Sequence, residues 1–314
     1  MKDRKVKLPM VLALTTAMTV AWAIIMWRLW FSDAAVVLGR GDQTVNEVFL
    51  FAVYGDDHRP LNNPIGVAVA RNGYIYVADA DNHQVQVFYP NGRFAFAFGG
   101  PGEGEGQFNY PVGVAVAGNR VYVSDLNNHR IQVFDMGGGY QGLFPSGEKQ
   151  VLAPTAITAD RQERIYVVDK ASQSVKVFDK AGRLLNEIGG GYGEISLRFP
   201  MGLALAGRGD MLIADSGNAR LLLVDDMGEV RKEAKSAVMP RGVAVDAYGR
   251  IYVADSFNHR IIQFDDNLVE QKAFGVPGEE NEQFYYPDGL AYARGRLYIV
   301  DRGNNRVVVY AVNQ

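Results

Sequence analysis

Six aspartates recur at one place in a repeated phrase: Asp79, Asp125, Asp169, Asp215, Asp255 and Asp301. An Asn follows three residues later in five copies (82, 128, 218, 258 and 304). A His follows at four in three copies (His83, His129, His259), and an Arg at five in four (Arg130, Arg220, Arg260, Arg306). Carboxylate, amide, imidazole and guanidinium so close together are the side chains from which cation cages and acid–base pairs are built. Repetition argues for a different use, because groups that recur at one register serve that register. The Asp is expected to accept backbone N–H groups in its turn, the Asn to tolerate the left-handed conformation there, and the Arg to pair with a carboxylate. The six aspartates are therefore assigned to structure, and no catalytic residue, metal ligand or cofactor is assigned. The fourth histidine, His58, stands apart beside Asp56 and Asp57. The chain has no Cys, hence no thiolate chemistry, and it lacks a nucleophile-elbow Ser, a His-Glu-x-x-His pair and a phosphate loop.

The elements that must position these residues follow from the same phrase. Each copy opens on a proline (Pro64, Pro111, Pro154, Pro200, Pro240, Pro287), and successive prolines lie 47, 43, 46, 40 and 47 residues apart. That period belongs to propellers, solenoids and arrays. In the fifth copy "GVAV", "IYVAD", "IIQF" and "LVEQKAF" read as four strands separated by turns, from apolar to polar. Four antiparallel strands with a wet outer edge make a propeller blade, and stacking blades radially buries both faces. The sequence thus predicts an all-β, six-bladed propeller. Copy six stops one strand short, and the orphan segment Val48–Gly55 is expected to pair with Val307–Tyr310 and close the ring.

Residues 48–314 resemble the NHL-repeat family, through "YPVGVAVAGNRVYVSDLNNHRIQVFD" and "MPRGVAVDAYGRIYVADSFNHRIIQFD". The third copy departs most, lacking the Gly after Pro154 and the Asn-His-Arg turn, and the fourth has Ala219 where His is usual. The resemblance implies the propeller and leaves activity open. Related propellers that act as lyases or lactonases hold a metal between converging His, Asp, Asn or Glu, and no such set maps onto this chain.

Two other regions present candidate binding residues. The residues after the opening prolines should line the channel mouth: Ile65, Val112, Thr155, Met201, Arg241 and Asp288. The two charged ones, Arg241 and Asp288, fall in adjacent copies and suit a salt bridge. The long loops Gly99–Pro111, Gly189–Pro200 and Gly275–Pro287 bring aromatics next to acids. From them Phe108, Tyr110, Glu279, Glu280, Tyr285 and Tyr286 are the candidate ligand contacts, of a kind suited to a peptide, a glycan or a cationic segment.

Residues 1–31 combine a basic stub with the uncharged run Leu8–Trp27, whose 20 residues span about 30 Å. Trp22, Trp27 and Trp30 sit towards its far end. This predicts an uncleaved signal anchor with a cytoplasmic N-terminus, a linker over 32–47 and an extracytoplasmic ring, in the style of a bacterial membrane protein; the rival reading is a signal peptide cleaved at the small-x-small site Ala21–Ala23. Setting aside the five basic and one acidic residues of this segment leaves 27 basic against 34 acidic side chains, a net charge of −7. An acidic ring disfavours nucleic acid. The reading favoured is a membrane-anchored binding or scaffold module for a protein, peptide or wall polymer. The alternative is a metal-dependent lyase or lactone hydrolase acting in the central channel.

Overall fold

The computed structural model describes residues 47–146, 151–191, 195–235 and 237–312. The chain divides into units Met1–Thr44 and Val45–Gln314. The predicted anchor Leu8–Trp27 and the linker up to residue 46 lie outside the described residues, among which no helix is long and apolar enough to cross a membrane.

Among the described residues there are six four-stranded antiparallel sheets, one for each copy of the phrase. Blade 5 is representative: Pro240–Val245, Ile251–Asp255, Arg260–Phe264 and Glu270–Phe274 pair in that order. Its second strand is buried throughout and its outer strand is mostly exposed, because the second and third strands have neighbours on both faces. The first strands of blades 1 to 6 touch one another in a closed circuit that returns from Pro287–Ala293 to Pro64–Val69. Each inter-blade seam is packed with apolar side chains, for example Leu212, Leu221 and Leu223 of blade 4 against Val243, Val253 and Ile262 of blade 5.

Blade 6 is completed from the other end of the ring. Glu47–Val53 pairs antiparallel with Arg306–Val312, from Glu47 opposite Val312 to Val53 opposite Val307. Glu47 thus belongs to the closing strand and not to the linker. Gly55–Asp56 lies outside that strand, pairing instead with Arg59–Pro60.

The glycine two residues after each proline shows how tightly the first strands crowd. A Cβ on Gly66, Gly113, Gly202, Gly242 or Gly289 would run into the backbone carbonyl of Val112, Thr155, Arg241, Asp288 or Ile65 respectively, in the next blade each time. Only a residue without a side chain permits that approach. Blade 3 has Ala156 at this position, so its seam with blade 4 is the one built differently.

Candidate functional site

Each first strand starts at its proline on one face of the ring and ends at a turn on the other. The Asp-containing turns join the proline face, and all six aspartates are fully buried there. One oxygen of each takes a backbone N–H from the segment before its own blade's proline: Asn62 to Asp79, Asn109 to Asp125 and Arg198 to Asp215, each at 2.7 Å. Ala153 to Asp169, Val238 to Asp255 and Tyr285 to Asp301 continue the series, at 2.9, 3.2 and 2.7 Å. These donors come from the preceding loop, so the expectation that the aspartates cap mainly their own turn is corrected; only Asp169 also takes a turn N–H, from Ala171. In blades 2, 4, 5 and 6 the second oxygen takes the Asn amide and the Arg Nε, as at Asp125, where Asn128 and Arg130 both donate at 2.8 Å, and in blade 1 Gln84 stands in place of the Arg. Blade 3 has neither residue, and Lys176 Nζ enters from the third strand to reach Asp169 at 3.0 Å. A fully buried carboxylate that already holds at least three donors is committed to the fold and closed to solvent.

The left-handed residue of the turn is not the Asn but its successor: His83, His129, Gln173, Ala219, His259 and Asn305 have φ between 50° and 55°. Except at Ala219, their side chains bond the next blade. His83 Nδ1 accepts the N–H of Tyr110 and His259 Nδ1 that of Tyr286, at 3.1 and 3.0 Å. Gln173 Oε1 takes the N–H of Phe199, and Asn305 Oδ1 that of Asn63 at 2.8 Å, across the closure. His129 instead donates from Nδ1 to Leu152 O. The histidines are clasps between blades. His58 is exposed in its own hairpin, and among the described residues no three His, Asp or Glu side chains converge to hold a cation.

These clasps fix the residues immediately before the prolines, which ring the mouth of the channel. Asn63, Tyr110, Phe199 and Tyr286 all have positive φ, which turns their side chains onto this face. Three positions before each proline the pattern inverts: Leu61, Phe108, Val151, Leu197, Ala237 and Phe284 are buried. Phe108 was expected to face a ligand, and this is corrected. It is fully buried and packs against Phe134, with ring centroids 5.4 Å apart, where blades 1 and 2 meet. The six apolar residues at one offset were a sequence signal for this role.

The channel mouth itself is a cavity of about 250 Å³ lined by all six residues that follow the prolines, together with Tyr110, Lys170 and Arg302. Arg241 Nη1 bonds Asp288 Oδ2 at 2.8 Å, and Arg302 Nη1 approaches the same oxygen at 3.4 Å. Arg302 Nε also donates to Asn63 Oδ1. A second cavity of about 480 Å³ adjoins it, sharing Arg241 and Arg302 and walled by Met239, Phe257 and Tyr286. Around it Tyr285 stacks on His259 at 5.0 Å and Tyr286 meets Phe257 edge-on at 6.3 Å. Phe257, Tyr285 and Tyr286 are 58, 45 and 40 % exposed. On the opposite side of the mouth Lys170 lies over the ring of Phe199.

Of the candidates, Tyr285 and Tyr286 form one aromatic cluster, and Tyr110 and the Arg241–Asp288 pair line the channel mouth. Glu279 and Glu280 are exposed on the preceding loop, whose carbonyls are held by Arg306, and neither lines a mouth cavity. Phe257, Arg302 and Lys170 were not anticipated. Phe257 sits within the turn phrase and Arg302 and Lys170 directly follow the aspartates, so the register would have found all three.

The NHL-repeat model matches residues 61–88, 108–134, 238–264 and 284–310, three of them starting at the buried residue three before the proline and the third match one residue later, at Val238. Four of the six blades are NHL repeats. The matched units are blades 1, 2, 5 and 6; blades 3 and 4 carry the altered turns. The protein brain tumor of Drosophila melanogaster is 29 % identical over 140 residues, 44 % of this chain and 14 % of that relative, so the match spans only a small part of its length. Among solved structures, virginiamycin B lyase from Staphylococcus aureus superposes with a TM-score of 0.59 at 11 % identity, over 86 % of this chain and 99 % of that one. A chain of a nidogen/laminin complex gives 0.58 at 20 % identity over 69 % and 81 %. At such identities the likeness is one of fold.

Proposed function

We propose that this NHL ring is a protein-binding module that works through its proline face and is held at a membrane by Leu8–Trp27, with the ring on the extracytoplasmic side. The observation that carries the binding reading is the exposed cluster Phe257, Tyr285 and Tyr286 beside a cavity floored by Arg241 and Arg302. Tyrosine and arginine at the rim of a concavity are the residues that dominate protein interfaces, because they bury much area with few rotatable bonds. The cluster is held open by fixed backbone: the His259 clasp and a positive φ keep Tyr286 out of the core. The uncharged run and its basic flank support the membrane placement. A channel reaction has no ligand set among the described residues from which to be argued.

Site-specific photocrosslinking tests the face. A benzophenone side chain at position 286 of the full-length chain, in its native membrane, is expected to trap a discrete protein adduct. The same group at Gln162, in the turn at the opposite end of the channel, is expected to trap none. Equal adducts from both positions would reject the proline face as the binding surface. Protease added to intact cells should reach the ring, and full protection would reject the extracytoplasmic placement.

A further inference from the structure

We infer that the segment recognised is an extended acidic peptide: an Asp or Glu side chain enters between Arg241 and Arg302, and a neighbouring apolar side chain lies against Tyr286 and Phe257. This rests on the reading of the proline face as a protein-binding surface. The 480 Å³ cavity is lined by two guanidinium groups and by no acidic side chain. Their shared counter-ion, Asp288, lies behind them, its side chain 8 % exposed, whereas those of Arg241 and Arg302 are 21 and 28 % exposed. Two cations on one anion leave a positive charge at the cavity. Among the described residues Arg241 Nε and Nη2 and Arg302 Nη2 make no hydrogen bond. Partly desolvated guanidinium groups with spare donors favour a carboxylate, which matches their planar fork.

The surroundings sharpen the choice. The whole chain carries a net charge of −3, yet the channel mouth gathers Lys170, Arg241 and Arg302 against Asp288 alone. A cationic concavity in an acidic body draws an acidic segment to that place and repels it elsewhere. The apolar wall of Met239, Phe257 and Tyr286 requires a side chain with surface to bury beside the acid. The space suits side chains of an extended strand and is too small for a helix of about 10–12 Å diameter. Nucleic acid would need a track of cations along the surface, and the exposed acids around the ring oppose one.

The test is selection of random dodecapeptides on the purified full-length chain, the peptides being fused through their C-termini so that no terminal carboxylate is offered. Enriched peptides are expected to carry Asp or Glu next to Phe, Tyr, Leu or Met. A synthetic copy is expected to bind Arg302→Gln about tenfold more weakly or worse, with Arg302→Lys in between, at an unchanged melting temperature. Should Arg302→Gln melt lower, Lys170→Glu supplies the same reading from the opposite side of the mouth. Enriched peptides without acids, but lost on Phe257→Ala, would overturn the acidic specificity while leaving the proline face as a binding surface. Peptides indifferent to both Arg302→Gln and Phe257→Ala would overturn both. Displacement of the peptide by a mixed-sequence single-stranded RNA whose own binding needs Arg302 would also overturn the inference, in favour of a phosphate ligand.

Discussion

A buried aspartate needs donors in place of the water it has lost, and the six here each gather at least three by different routes. Asp125, Asp215, Asp255 and Asp301 use Arg and Asn from their own turn; Asp79 uses Asn82, Gln84 and Gln86; Asp169 uses Lys176. Removing one partner strands the other, so Asp125→Ala is expected to cost about 3–5 kcal/mol in denaturant unfolding, leaving the Arg130 guanidinium without its carboxylate. Asp169 allows a test by pH. Burial pushes its pKa up, but the N–H groups of Ala153 and Leu152 and the Lys176 ammonium outweigh that and hold it below the usual carboxylate value. A group depressed on folding gives stability that is full above its unfolded pKa of about 4 and is lost as pH falls through the folded value. Asp169→Asn should therefore lower the melting temperature at pH 7, with the gap to the parent closing as both are acidified. A gap independent of pH would mean that the charge is not what matters. Asp301, at the same register, shifts upwards because burial dominates over its bonds to Tyr285, Asn304 and Arg306, so its ionisation opposes folding as pH rises through that range. The structural role of the aspartates was legible in their repetition. The clasp made by the histidines was not, because it joins residues 27 apart whose contact exists only once blades are stacked.

At the level of the element, the loop before each proline alternates: one residue packs inwards, and two later another is turned outwards. The sequence shows aromatics in both places, as in Gln-Phe-Tyr-Tyr-Pro, and composition alone cannot say which face each takes. The strand-to-strand loops could be placed from turn residues and periodicity, whereas the split between Phe284, buried, and Tyr286, exposed, is set by the seam and by a positive φ. The same crowding makes the first strands sensitive. Gly242→Ala would drive a methyl group into the carbonyl of Asp288 and is expected to destabilise by about 1–3 kcal/mol, measured by chemical denaturation. An unchanged midpoint would show that the first strands can spread without loss. Blade 3, with Ala156, already tolerates a methyl group there.

For the whole molecule, the period of the prolines and the missing last strand were enough to foresee six blades. Strand pairing across the closure adds Glu47–Val53 to the last sheet, and the Lys272–Glu47 ion pair at 2.7 Å ties it also to blade 5. Deleting residues 47–53 would expose the edge of Arg306–Val312 and the apolar face beneath it. The deleted chain is expected to aggregate or to pair between copies, read by light scattering and size-exclusion chromatography. A monomeric, cooperatively melting product would show that five complete blades and a partial one suffice. What lay beyond sequence reasoning at this scale was the electrostatic asymmetry: the three cations of the mouth come from blades 3, 5 and 6 and meet only in the closed ring.

The antiparallel closure also sets how the ring responds to force. Glu47 lies opposite Val312, so the chain enters and leaves the last sheet at the same end of one strand pair. Tension between those two points does not load all the hydrogen bonds of the pair together; it opens them in turn, beginning at Glu47. A ring stretched through its flanking segments would yield by peeling, at low force and one residue pair at a time, while the other five sheets, sewn internally, would carry none of the strain until the seam had parted.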